Sequence, residues 1–159
     1  MAFTLTVTGI ATLRARIAAI RAALPLAMMD ALNTTGDAVI SELQAAAPIG
    51  QGDDTTAPAG DAPGKLKDSF ISVVESTDGM HAILTVSTTQ PQKLSWVVNG
   101  RGPVYPVNKK ALWWPGLPHP IKYAGPSQAN DFVAPVMDQV PDIATVAFEE
   151  AVNTVLGEG

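Results

Sequence analysis

Residues 10–47, IATLRARIAAIRAALPLAMMDALNTTGDAVISELQAAA, decide the fold. Leu13, Ile17, Ile20, Leu24, Met28, Ala31, Leu32, Thr35, Val39 and Leu43 recur at spacings of three and four, the signature of one face of a long amphipathic helix. Arg14, Arg16, Arg21, Asp30, Asp37 and Glu42 fall largely off that stripe. Pro25 removes a backbone donor and crowds the preceding turn, so a kink or split is expected near Leu24. Gly36 is a second weak point. Ala47 ends the helix, because Pro48 pushes it out of the α region. The stripe either packs on the chain's own sheet or lends part of itself to a neighbouring subunit. Upstream, Phe3–Thr8 alternates apolar residues with threonine, the pattern of a half-buried strand, and Thr8 or Thr12 can cap the helix.

Downstream lies a segment of another kind. Residues 49–64, IGQGDDTTAPAGDAPG, contain almost nothing bulky and read as a long flexible loop. Asp53, Asp54 and Asp61 in it lack the alternating ligand spacing and closing glutamate of a calcium loop. Ser69–Thr77 and Met80–Thr88 then read as two strands joined at Asp78-Gly79, a strong hairpin signal. Leu94–Val98 is expected as the next strand, and Val104–Val107 with Ala111–Trp114 as a further hairpin tipped by Asn108-Lys109-Lys110. Pro135 begins a last helical pattern, Val136, Met137, Val140, Ile143, Val146, Ala147, Val152 and Val155, which runs to Gly157 and is expected to divide at Pro141. The expected fold is α+β: an antiparallel sheet of about four to five strands, packed by a long N-terminal and a C-terminal helix in one domain over residues 1–159.

Leu94–Tyr123 holds all three tryptophans, both tyrosines and five prolines. Adjacent residues on a strand point to opposite faces, so Trp113 and Trp114 cannot both enter one core. The prolines stiffen Leu117-Pro118-His119-Pro120 and exclude a helix or central strand there. Such a surface suits a protein partner. Aromatic residues and arginine are the usual interface anchors, which selects Trp113, Trp114, Tyr105 and Arg101, with Pro118 and His119 beside them.

Composition narrows the chemistry. The chain has 159 residues, no cysteine and two histidines, which removes thiol chemistry and leaves little for a zinc or iron site. Net charge is −5 with no basic run, contrary to the footprint of a tight DNA binder. Ile17–Met29, broken by Arg21 and Pro25, is too short to span a bilayer, so a soluble protein that needs no membrane is expected. Ser69, His81 and an aspartate have no nucleophile-elbow context, and Gly100-Arg101-Gly102 precedes a proline instead of a helix. No catalytic constellation or cofactor site emerges, and a non-enzymatic protein is expected.

The order of features is similar to one family. A strand and long helix end at Ala47-Pro48; Gly64-Lys65-Leu66-Lys67-Asp68-Ser69-Phe70 precedes the hairpin; Val97-Val98-Asn99-Gly100 follows it. A proline-flanked Ala111-Leu112-Trp113-Trp114 unit and Asn130-Asp131-Phe132-Val133-Ala134-Pro135 then lead into the last helix. This resembles the small head–tail connector, or tail-completion (neck), proteins of long-tailed bacteriophages, over nearly the whole chain. The chain departs from the family pattern in the loop inserted after Ala47-Pro48 and in its more aromatic Trp113-Trp114 ending.

The resemblance implies a structural virion protein, most often a hexameric ring between the head connector or adaptor proteins and the tail terminator or tail tube. Genome DNA would pass through its channel without specific binding, and assembly would take place in the host cytoplasm. Acidic walls suit such a conduit because carboxylates repel phosphate, which makes Asp53, Asp54 and Asp61 candidates to face the lumen. A tail terminator or head-closure protein shares these features. The rivals from other classes are a small enzyme that uses the aromatic segment as a pocket wall and a ligand-binding module that stacks its ligand on Trp113 and Trp114. Replacing both tryptophans by alanine is expected to impair assembly, read by sedimentation, more than folding, read by thermal melting.

Overall fold

A computed structural model describes residues 9–48, 66–76, 81–107, 111–112 and 120–157. Helix α1 (Ile10–Ala46) is followed by a short 3₁₀ turn (Lys67–Ser69), strands β1 (Phe70–Ser76) and β2 (Ala82–Thr88), helix α2 (Pro91–Asn99) and helix α3 (Val133–Leu156). The fold is α+β, with long helices near both ends and a two-stranded antiparallel sheet among the described residues. The strands pair from Phe70↔Thr88 to Ser76↔Ala82; the expected hairpin forms, in a register one residue away from the Ser76–His81 pairing that a two-residue turn at Asp78-Gly79 would set. The expected strand Phe3–Thr8, the loop 49–64 and the turn residues 77–80 lie outside the described residues.

Helix α1 is continuous through Pro25, and α3 through Pro141. Neither helix is split at its proline. Both prolines and the residues four before them, Arg21 and Met137, lie on exposed faces. The carbonyl that each proline leaves without a donor therefore faces water, while apolar packing on the opposite side holds the helix together. Ala47 leaves the helix in extended conformation (ψ 126°), its N–H bonded to the Leu43 carbonyl. This is the exit that Pro48 dictates.

Leu94–Val98 is helical, not a third strand. Pro91 occupies the first helical turn, where its missing donor costs nothing, and Leu94, Val97 and Val98 share one face toward the core. The short β-branched run has the composition of a strand and the spacing of a helix, and burial of that face decides between them.

The core is built from Val39, Leu43 and Ala47 of α1, Leu66 and Phe70 beside the sheet, and Phe132 and Val136 at the start of α3. Phe70 and Phe132 meet edge to face, their centroids 6.3 Å apart. Alternation in the sheet turns Ser72, Val74, Leu84 and Val86 inward, toward α1. Ile71, Val73 and Ile83 are left on an open outer face. Gly36 lets α1 approach closely: a Cβ there would lie 3.0 Å from both Ser72 Cβ and Leu84 Cδ1. Helix propensity alone favours Gly36→Ala by about 1 kcal/mol. Overpacking against the fixed Ser72 Cβ costs about 1–3 kcal/mol, so net destabilisation is expected, read as a lower urea midpoint.

Candidate interaction surfaces

The segments around Ser69-Phe70 and Asn130-Asp131-Phe132 meet inside the molecule. Ser69 is buried; its hydroxyl donates to the Leu66 carbonyl (2.6 Å) and lies 2.6 Å from the Thr88 hydroxyl. The Ser69 carbonyl accepts the Thr89 N–H at 2.9 Å. Its oxygens are occupied in closing the hairpin base on the 3₁₀ turn, a structural use of a serine. On the other side, the Asp131 carboxylate accepts the N–H groups of Val133 (3.2 Å) and Ala134 (3.1 Å), satisfying two orphan donors at the start of α3. The Asn130 N–H reaches the Val97 carbonyl at 2.8 Å. Phe132 is thereby held against Phe70.

From this corner an arm extends. Gly100 leaves α2 with φ 75°, and a Cβ there would come within 2.9 Å of the Ser127 carbonyl oxygen. The outgoing chain pairs with the returning one at Arg101↔Ser127, Val104↔Ala124 and Leu112↔Ile121. Seven residues lie between Val104 and Leu112 and two between Ile121 and Ala124, so the outgoing side carries five more than the returning one. Of the expected local hairpin, Val104–Val107 with Ala111–Trp114, the described Val104 and Leu112 pair with Ala124 and Ile121, while its tip 108–110 and Trp113-Trp114 lie outside the described residues. Dense prolines on both sides remove ladder donors, so the pairing survives only as separate bridges.

Tyr105 and Tyr123 stack across the arm, centroids 5.8 Å apart, and both are exposed. Arg101 is half-buried, with its guanidinium carbon 5.4 Å from the centre of the Trp96 ring. This is cation–π range, and the buried Nε has no hydrogen-bond partner. Tyr105 therefore sits where a partner can reach it, whereas Arg101 is half-buried against Trp96. Sequence reading missed Trp96, which is 47% exposed on α2; once the segment is recognised as a helix, its position outside the Leu94–Val97–Val98 face is the signal. Trp113, Trp114, Pro118 and His119, and the candidate lumen acids Asp53, Asp54 and Asp61, lie outside the described residues.

Two further surfaces are apolar. A groove of about 450 Å³ opens over the core between β2, α2 and α3, lined by Leu84, Val86, Leu94, Met137 and Val140. The second is the N-terminal half of α1. The stripe that is buried at Ala31, Thr35, Val39 and Leu43 continues outward as Ile17, 45% exposed, and Leu13, 60% exposed. The outer end is tied down where Arg16 donates to the Leu156 carbonyl at the end of α3 (3.1 Å). Among the described residues, no group of three or more His, Asp or Glu side chains is arranged to hold a metal, and no helix is long and apolar enough to cross a membrane. Comparison with protein-family profiles, curated proteins and solved structures found no match.

Gly100→Ala forces a positive φ on a residue with a Cβ and drives that atom against the Ser127 carbonyl. A loss of about 1–3 kcal/mol is expected, with faster proteolysis of the 101–127 arm than of the helices.

Proposed function

We propose that this chain is a structural protomer of a bacteriophage neck: a homo-oligomeric ring, most simply a hexamer, between the head connector and the tail tube. In the assembled particle it completes the tail or joins it to the head, and genome DNA passes through its channel without base-specific contacts. Its partners are further copies of itself, the head connector or adaptor proteins, and the tail terminator or tube protein. It acts without catalysis or cofactor, in the virion after assembly in the host cytoplasm. Tail-terminator and head-closure roles use the same ring and differ in the neighbours it contacts.

The observation that carries this reading is the uncovered half of α1. A monomer has no use for a helix whose apolar stripe runs on past its own core, exposing Ile10, Leu13 and Ile17 in one line. An assembling subunit does. The exposed Tyr105–Tyr123 stack and the open sheet face with Ile71, Val73 and Ile83 add surface of the same kind. The motif resemblance supplies the identity of the assembly, and the net charge of −5 suits a conduit that must not hold DNA.

Purified protein is expected to sediment as a closed oligomer and to show rings with a central opening in negative-stain electron microscopy. In phage particles, antibody labelling is expected at the head–tail junction. A monomer at all concentrations, together with no label on particles, overturns the reading.

A further inference from the structure

The N-terminal half of α1 and helix α3 carry opposite charge. From Ile10 to Met29, α1 contains Arg14, Arg16 and Arg21 and no acid. The positive end of its macrodipole adds to them, since its first turn is also free of acid. Helix α3 contains Asp138, Asp142, Glu149 and Glu150 and no base. Asp138, Asp142 and Glu149 stand at i, i+4 and i+11, which aligns them on one exposed face, opposite the side that buries Val136 and Ala147.

Apolar surface accompanies each charge set. On α1 it is Leu13 and Ile17, flanked on one side of the helix by Arg14 and Arg21. On α3 it is Val146 and Val152, both exposed, with a shallow groove of about 430 Å³ beside them lined by Thr145, Phe148, Glu149 and Val152. Inside the protomer the two sets do not neutralise each other. Arg16 binds a backbone carbonyl, and among the described residues neither Arg14 nor Arg21 is paired with a carboxylate.

We propose that the basic, apolar N-terminal half of α1 in one copy docks on the acidic outer face of α3 in the next copy. This rests on the oligomeric part of the reading above and specifies its contact. Charge selects the pairing: α1 against α1 sets arginines face to face, α3 against α3 sets carboxylates face to face, and only the crossed contact brings opposite signs together. The crossed contact uses two different patches of one subunit. It is therefore heterologous and propagates around a ring, whereas a self-complementary patch would stop at a dimer.

Reversed charges on the full-length chain test this. One variant carries Arg14→Glu and Arg21→Glu; the other carries Asp142→Lys and Glu149→Lys. All four positions are exposed, so circular dichroism melts close to wild type are expected. Each variant alone places like charges across the contact. Each is expected to sediment as a monomer where the unaltered protein assembles, with a dissociation constant raised by more than about tenfold. Mixed in equal amounts, the two variants present opposite charges at every junction and are expected to reassemble as an alternating oligomer. Three outcomes are adverse. If both variants assemble alone, or the mixture fails to restore assembly, this contact is overturned while a ring built through other surfaces stands. If the unaltered protein is itself a monomer throughout, the contact and the oligomeric reading fall together.

Discussion

Phe70 and Phe132 are sixty-two positions apart in sequence and meet edge-on beneath the C-terminal half of α1. Everything else in the described fold is fastened to that contact. Phe70 opens β1, so the register of the hairpin begins there; Phe132 precedes α3, so the path of the last helix begins there. Ser69 and Asp131, each adjacent to one ring, use their side-chain oxygens to satisfy nearby backbone or hydroxyl donors. An aromatic pair of this kind holds its geometry because its polar surroundings leave it no freedom to slide. Val39, Leu43 and Val136 fill the remaining space.

This explains why some of the chain was legible in advance. The motifs around Ser69-Phe70 and Asn130-Asp131-Phe132 are visible as strings of letters, and both prove to be parts of one joint. The long helix and the β1–β2 hairpin were also legible, the first from its long apolar periodicity and the second from two β-rich runs placed either side of Asp78-Gly79, although the strands pair one residue away from the register that turn alone would set. Leu94–Val98 was not. Five residues with two valines and a tryptophan carry a strand's composition, and only the position of Pro91 and the burial of one face make them a helix. Pro25 and Pro141 misled in the opposite direction. Periodicity shows where a proline falls along a helix but not whether water can reach the carbonyl it abandons.

The surfaces were harder to read than the core. A stripe of apolar residues at helical spacing looks the same whether or not something covers it. In α1 the stripe is uniform, yet Val39 is buried and Leu13 is open, because the sheet and the start of α3 meet only one end of the helix. Arg101 shows the same difficulty in reverse. Its residue type suggested an interface anchor, and in the fold it is half-buried with its guanidinium over the Trp96 ring. Tyr105 is exposed, and the residue it stacks on, Tyr123, lies across a pairing that no local pattern announces.

The length of α1 has a consequence for how firmly different parts of the molecule are held. Thirty-seven residues form a rod of about 55 Å, and the buried core grips only the far end. Amides near Val39 exchange with solvent only when the whole core opens, whereas those near Ile10 are released by fraying of a few turns. Protection is therefore graded along a single uninterrupted helix. Anything that grips the exposed turns around the Arg16–Leu156 tie would raise the floor of that gradient without altering the chain's path, so that occupancy would register as a change in rigidity.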